Sequence, residues 1–478
     1  MPASGPHAIL PAPPPHLPGA APAGLEGIWP QVCGLLAHVQ AMRGDEGAVQ
    51  AQQRGMVRDG CFVMPSPFPG RDGDRCCRSW FHEFQFYYEF DAGRHGTYYW
   101  ITGLLSRGYS LDHLWFPAHR AAASIDPTGV DSARLERFAA MLAEAPDKPA
   151  GPPGGIAPRL AVAGFQHMVH MLWNELPALD RLAAAGLPAS AHTGAFGIAV
   201  QCEPFGPTRE LFPELAPWIR TVRHTDLPAL NGANGLVLGL GSWTITPGTQ
   251  ARVRRVAARH AGPAAAARQA AFRDAHGPVF WLSVKPPNRT LAGQEEALAG
   301  LIAALRAAHP GAGFILDGAS APWDFPANPN YPPWFHKVSR AAAAGSAAVI
   351  AGVLARLDPL ARDHVVALNG IPVCQEVGWG AIAGFYVCHG GTMHNKIGWL
   401  HPVPGFVHSN HAFLAAMRGM PDPVPGGPPC ALASAELVRD DDPAGYGPHE
   451  LARKDQNYSF TSLDRFVEEV RAAFLATR

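Results

Sequence analysis

The stretch that decides the fold is GFYVCHGGTMHNKIGW, residues 384–399. Its apolar first half predicts a buried β-strand, which ends in the turn HGGT and continues directly into a helix. Strand, tight turn and helix in this order are the repeating unit of a parallel α/β sheet. Glycine lets a ligand approach the backbone of such a turn, and the exposed N–H groups attract phosphate oxygens. A plain strand-to-helix turn uses glycine in the same way. The residues that would contact an anion here are His389, Gly390, Gly391, Thr392 and Lys396.

Further apolar segments, separated by helical ones, extend the same pattern in both directions. The helical segments include residues 294–308 and 346–355. This alternation predicts an α/β protein of the GT-B type, with two Rossmann-like lobes at residues 151–277 and 278–478 that meet near Gly277-Pro278. The predicted strands are RLAVAGF (159–165), GLVLGL (235–240), VFWLSV (279–284), GFILDG (313–318) and HVVALNG (364–370).

The N-terminal third of the chain has a different composition. Residues 1–24 are rich in proline and predict a tail without stable structure. Residues 25–150 begin with a helical pattern and continue with alternating aromatic and polar residues, which predict a small β-rich module. The segment DKPAGPPGG (147–155) ends this module.

Composition and charge exclude several classes of protein. With 38 Lys and Arg against 39 Asp and Glu, the formal net charge is −1, so no overall field favours nucleic acid or an anionic membrane. The eight cysteines show no zinc-ribbon spacing. The N-terminus lacks the basic start and the continuous apolar stretch of a signal peptide. The sequence also lacks a run of about 18 uninterrupted apolar residues, which a transmembrane segment would need. A cytoplasmic location is therefore expected.

Residues just after the strands are the strongest candidates for ligand contacts, because ligands of doubly wound sheets bind beyond the carboxyl ends of the strands. The loop KPPNRT places Lys285 and Arg289 in a rigid segment before a helix, where they could clamp a diphosphate with Asn288 between them. A solvated loop with unrelated charges is the alternative. Asp317 ends GFILDG and could bond a ribose hydroxyl, although Asp-Gly is also common turn chemistry.

The helical segment after RLAVAGF carries a polar stripe. At 100° per residue, His167, His170 and Asn174 lie on one side and apolar residues lie opposite. The stripe is predicted to face outward, toward a cleft or toward bulk solvent.

These segments resemble known glycosyltransferases. HGGT after a strand is similar to the donor-binding stretch of GT-B enzymes, where a His-rich or Gly-rich turn lies under the nucleotide diphosphate. The pair GFQHMVHMLWNELPAL and HGGTMHN resembles the two motifs of the xylan- and EGF-domain-modifying glycosyltransferase family, with Glu175 at an acidic position and Asn395 in the second motif. Here the first helix has one extra residue before the acid, and Thr392 and Met393 replace Gly-Leu.

The resemblance implies transfer of a sugar from a nucleotide-diphosphate donor to an acceptor hydroxyl, without a metal or other cofactor. His170 is the predicted base, with His167 and Glu175 as alternates. Lys285, Arg289 and the turn at Gly390-Gly391 would hold the leaving diphosphate. The sequence identifies neither the sugar and nucleotide nor the acceptor, whether protein, glycan or lipid-linked.

Two other functions stay open. A metal-dependent hydrolase could use His167, His170 and Glu175 with His192 or His224, although HExxH is absent. A catalytically inactive GT-B fold could serve as a binding module.

Overall fold

The computed structural model describes residues 8–11, 21, 24–83, 85–102, 111–125, 132–145, 147–148, 157–164, 167–187, 195–286, 289–419, 422–441 and 455–478. Asn288 and His192, both named above, lie outside these ranges.

The chain forms two compact units. Unit 1 comprises Met1–Cys202 and Phe212–Thr244, and unit 2 comprises Glu203–Leu211 and Ile245–Arg478. The main segment of unit 2 therefore begins at Ile245, earlier in the chain than the predicted meeting point at residues 277–278. The reason is a long helix, Pro247–Ala275, which packs within unit 2.

The elements of residues 1–244 are as follows. The strands are β1 Ala8–Pro11, β2 Phe62–Met64, β3 Asp74–His82, β4 Gln85–Asp91, β5 Thr97–Thr102, β6 Leu111–Phe116, β7 Ala121–Ser124, β8 Arg159–Ala163, β9 Phe196–Val200, β10 Ile219–Thr221 and β11 Leu236–Gly239. The helices are α1 Trp29–Gly44, α2 Glu46–Asp59, α3 Ser132–Glu144, α4 Met168–His170, α5 Leu176–Ala184, α6 Thr208–Leu211 and α7 Leu227–Ala233. A π-helical segment, Met171–Glu175, joins α4 to α5.

Unit 1 contains the predicted β-rich module as a seven-stranded sheet of order β1-β7-β6-β5-β4-β3-β2. Its pairs are antiparallel except for β1 with β7. Strand β1 corrects the prediction of an unstructured tail to residue 24, because Ala8–Pro11 pairs with Ala121–Ser124. Aromatic side chains of β3, β4 and β5 pack on α3 around Phe138, which explains the aromatic periodicity of this stretch.

The second sheet of unit 1 is parallel, with the order β10-β9-β8-β11. It lies beside the antiparallel sheet, since the backbone N–H of Ser79 in β3 donates to the carbonyl of Gly235 at 3.2 Å. The two sheets thus share one compact unit, although the sequence suggested separate modules.

Unit 2 contains the remaining elements. Its strands are β12 Val279–Ser283, β13 Gly313–Asp317, β14 Val365–Leu368, β15 Phe385–His389, β16 Gly405–His408, β17 Cys430–Leu432, β18 Val438–Asp440 and β19 Tyr458–Phe460. Its helices, besides α6, are α8 Pro247–Ala275, α9 Gln294–Ala308, α10 Pro333–Arg356, α11 Pro359–Arg362, α12 Val373–Gly380, α13 Thr392–Gly398, α14 His411–Gly419 and α15 Leu463–Leu475.

The main sheet of unit 2 has six parallel strands in the order β14-β13-β12-β15-β16-β17. Counted along the sheet this is 3-2-1-4-5-6, the strand order of a Rossmann fold. The order reverses between β12 and β15, which is the topological switch point. The predicted α/β class with two Rossmann-like parallel sheets is therefore confirmed.

The four central strands of this sheet, β13, β12, β15 and β16, are buried on both faces, as expected for a parallel sheet between helices. One face packs on α9, α10 and α15, and the other carries the cluster around Trp281 and Trp379. Helix α10 is long and apolar enough to cross a membrane by composition, with a mean hydropathy of 1.6. It follows β13, precedes β14 and packs on α9, so it is a crossover helix of the sheet.

Candidate functional site

The candidate site of unit 2 lies at the switch point, where β12 and β15 end side by side. Ser283 ends β12 and is fully buried, and its hydroxyl accepts the backbone N–H of His389 at 2.8 Å. The same hydroxyl lies 3.1 Å from Nδ1 of His389. Because the two strand ends are joined in this way, the loop after β12 and the turn after β15 share one edge of the sheet.

Lys285 is fixed directly after β12. The Gln294 side chain, at the start of α9, accepts the Lys285 N–H at 2.8 Å and donates to the Lys285 carbonyl at 3.1 Å. Burial, together with the positive charge of nearby Arg289, lowers the pKa of Lys285 to about 8, while Asp455 opposes the shift. The structure thus brings together the two cations that the sequence singled out.

Arg289 is held in an uncommon backbone conformation, with φ 54°. Its guanidinium carbon lies 4.4 Å from the centre of the Phe413 ring, a cation–π distance. Its ionic contact with Asp455 is long, 3.9 Å from Nε to the carboxylate oxygen. Within the described residues Nε is buried without a hydrogen-bond partner. Burial also lowers the pKa of Arg289. The guanidinium is therefore mostly withdrawn from water with little compensating negative charge.

The glycine turn lies against this guanidinium. A Cβ at Gly391 would be 3.5 Å from Nη2 of Arg289, and Gly391 has φ 102°, which L side chains rarely adopt. Gly390 has another constraint, since a Cβ there would be 2.7 Å from the Phe413 ring. Gly391 thus forms the open side of the turn, while Gly390 is required for packing.

The remaining predicted residues of this turn differ in exposure. Thr392 is partly exposed at the first position of α13. Asn395 is buried, and its side chain bonds that of His394. Asn395 therefore supports the helix from inside, and Thr392 is the member of the pair that a ligand could reach.

His389 is buried and neutral. Its pKa lies well below the usual value because of burial, with smaller contributions from His408 and from the cations Lys285 and Arg289. The Ser283 hydroxyl lies within hydrogen-bond distance of Nδ1, and either atom can be the donor. Among the described residues Nε2 of His389 has no hydrogen-bond partner. His389 thus contributes a neutral, buried imidazole beside the two cations.

Asp317 and Lys396 depart from their predicted roles. The Lys396 ammonium contacts an Asp317 oxygen at 2.7 Å and a Glu376 oxygen at 3.0 Å, and also the carbonyl of Gly318 and the hydroxyl of Ser320. The second Asp317 oxygen accepts the indole N–H of Trp281 at 3.2 Å. All three charged side chains are buried. Lys396 is therefore bound within the protein, and both Asp317 oxygens already have protein partners.

In unit 1, a π-helical segment changes the predicted polar stripe. His167 is exposed and His170 is half-buried, but Asn174 is 1% exposed. The Asn174 amide donates to the carbonyl of Ser242 at 2.8 Å, and its Oδ1 lies 3.2 Å from Nδ1 of His170. A period of 100° per residue does not hold through Met171–Glu175, so the prediction that Asn174 faces outward is wrong.

The alternate base Glu175 has a structural partner. Its carboxylate is 3% exposed and accepts the backbone N–H of Gly164, directly after β8, at 2.7 Å. Glu175 thus fixes the loop at the end of β8, the strand beside which the order of this sheet reverses.

Among the described residues, the ligand set proposed for a metal-dependent hydrolase is not assembled. His224 bonds Gln201 at 3.2 Å, and within the described ranges no three His, Cys, Asp or Glu residues are grouped as metal ligands.

Sequence reasoning missed several contributors to the unit 2 site. Phe413 and Asp455 come from segments that carry no motif, and only the tertiary structure brings them to Arg289. His408 ends β16, is fully buried, and bonds Tyr458 at 2.7 Å through Nδ1.

Comparisons with known proteins give distant structural likenesses. No protein-family profile and no curated protein sequence matches the chain. Escherichia coli ADP-heptose LPS heptosyltransferase II is 11% identical, with a TM-score of 0.35, covering 66% of this chain and 99% of its own. A glycosyl transferase family 9 protein from Veillonella parvula is 7% identical, with a TM-score of 0.30, covering 66% of this chain and 97% of its own. The trehalose 6-phosphate synthase of Burkholderia multivorans is 10% identical, with a TM-score of 0.28, covering 67% of each chain. TM-scores below 0.5 do not assign a fold, which here rests on the strand order.

Proposed function

We propose that the chain is a GT-B glycosyltransferase whose unit 2 binds the diphosphate of a nucleotide-sugar donor. The observation that carries the proposal is the pairing of Lys285 with Arg289 beside the Gly391 turn, at the switch point of a Rossmann sheet. Ligands of such sheets bind at this place. Two cations that burial removes from water suit a ligand that carries negative charge.

The chemistry of each group fits a diphosphate. The planar fork of Arg289 can bond two phosphate oxygens, while the Lys285 ammonium acts as a point charge. The neutral imidazole of His389 can add a donor through Nε2 in the tautomer that carries its proton there. During glycosyl transfer the diphosphate gains negative charge as the bond to the sugar breaks, so these groups stabilise the transition state more than the ground state. On this basis the proposed reaction needs no metal ion.

For the acceptor hydroxyl we propose His170 as the base. The amide of Asn174 is oriented by Ser242, so the atom facing His170 is an oxygen, which can only accept. Nδ1 of His170 must then be the donor, and the lone pair that takes a proton is on Nε2.

The experiment is isothermal titration calorimetry of the purified protein with UDP, ADP and GDP in EDTA, followed by donor-sugar hydrolysis and transfer assays with the nucleotide that binds. We expect binding in EDTA and slow hydrolysis of the matching sugar nucleotide. Binding without hydrolysis or transfer would identify an inactive binding module. No binding of any nucleoside diphosphate would refute the proposal.

A further inference from the structure

Helix α10 exposes much of an apolar surface. Its most apolar 18-residue window has a mean hydropathy of 1.6, yet only 17% of that window is buried. The buried residues Ser346, Ile350 and Val353 lie on one side of the helix, which packs on α9. Most residues on the opposite side are exposed.

The exposed side carries large apolar residues near the start of the helix. Trp334 is 56% and Val338 is 58% exposed. At 100° per residue, Trp334, Val338 and Ala341 lie within an arc of about 60°. Isolated exposed apolar residues are ordinary, but these three form a continuous line, here named the α10 strip.

The charges beside the α10 strip have one sign. Helix α10 contains no Asp or Glu, and the exposed residues Lys337 and Arg340 lie on one flank of the strip. Neither makes an ion pair with any described residue. The third cation of the helix, Arg356, pairs with Glu295 at 2.6 Å and lies at the far end.

We propose that the α10 strip, with Lys337 and Arg340, docks on an anionic lipid bilayer. Tryptophan at the membrane interface places its ring at the level of the headgroups, while flanking cations reach the lipid phosphates. A second copy of the chain is a poorer partner, because both faces of a two-fold interface would carry the same cations and α10 offers no carboxylate to pair with them. The proposal does not depend on the proposed catalytic function.

The test is cosedimentation of the full-length protein with vesicles. Wild type is expected to bind vesicles of phosphatidylcholine with phosphatidylglycerol at low salt, and to bind pure phosphatidylcholine vesicles much less. The double change Lys337→Ala with Arg340→Ala should lower partitioning about 25-fold, since each cation near an anionic surface contributes about five-fold. Trp334→Ala should lower it about ten-fold, the effect of burying roughly 55 Å² of apolar surface.

The control is Leu360→Ala in α11. Leu360 is 70% exposed but lies outside the α10 strip, so partitioning should stay unchanged. All these variants change exposed side chains, and their melting temperatures should match wild type. Failure of wild type to bind anionic vesicles at low salt overturns the proposal, as does wild-type partitioning by the variants. Self-association that depends on Trp334 in the absence of lipid would assign the strip to a second copy and likewise overturn it.

Discussion

Replacing Arg289 by alanine removes the guanidinium that lies against the Gly391 turn. A hydrogen bond to a charged group contributes about 1.5–3 kcal/mol, so nucleoside-diphosphate affinity should fall roughly 10- to 150-fold. Turnover should fall roughly ten- to a thousand-fold, the scale of losing one preorganised donor to a developing negative charge.

The backbone of Arg289 offers a way to separate binding from folding. Loss of the cation–π contact with Phe413 costs about 0.5–2 kcal/mol in either an alanine or a glycine variant. At φ 54°, alanine keeps the strain of the left-handed conformation, whereas glycine relieves about 1–2 kcal/mol of it. Arg289→Gly should therefore melt at or above the temperature of Arg289→Ala and lose as much affinity.

Calorimetry with the matching nucleoside diphosphate, beside a thermal melt of each variant, gives both quantities. Arg465→Ala is the control, because Arg465 is a half-exposed cation of the same unit that pairs with Glu469 on the same helix. It should bind like wild type. Wild-type affinity in a folded Arg289→Gly protein would show that the loop is only a connector.

Four further predictions follow from the same geometry. Nucleoside-diphosphate affinity should fall as pH rises through about 8, where Lys285 loses its proton, and Lys285→Arg should move this fall to higher pH in calorimetric titrations. Gly391→Val should abolish diphosphate binding and His389→Ala should weaken it less, as measured by calorimetry. Because the backbone at residue 391 has φ 102°, which strains a valine, melting curves must accompany the titrations. Burial raises the pKa of Glu376 from 4.5 to about 8, so its contribution to stability is present below 4.5 and is lost as pH rises through 8; Glu376→Gln should flatten that part of the stability curve in urea unfolding. His170→Ala should lower the transfer rate about 10²- to 10⁴-fold with unchanged donor affinity, and an unchanged rate would remove it as the base.

Much of the fold could be predicted from local sequence. Short apolar runs such as VFWLSV and GFYVCH are long enough to be strands and too short for helices, and the intervening helices have clear periodicity. Strand β16 was not predicted, because GFVH is short and lies among histidines and prolines. The change of unit at Ile245 precedes the predicted meeting point because α8 packs on α12, which no local pattern indicates.

Only part of the candidate site could be predicted from the sequence. Lys285, His389 and Gly391 follow strand ends, so the topology of a parallel sheet alone places them at one edge. Lys396 lies one turn further on, where the direction of the side chain depends on its partners. Its ammonium contacts the buried side chains of Asp317 and Glu376. Burial of Asn174 depends on the π-helical segment, which no spacing rule in the sequence indicates.

The most direct test is a crystal structure of the protein with the nucleoside diphosphate that binds best. The account predicts phosphate oxygens within about 3 Å of the Arg289 guanidinium and of the backbone N–H groups at the Gly391 turn, with the Lys285 ammonium in reach of the same group. A diphosphate bound elsewhere, with Arg289 and Lys285 unmoved and facing solvent, would contradict it.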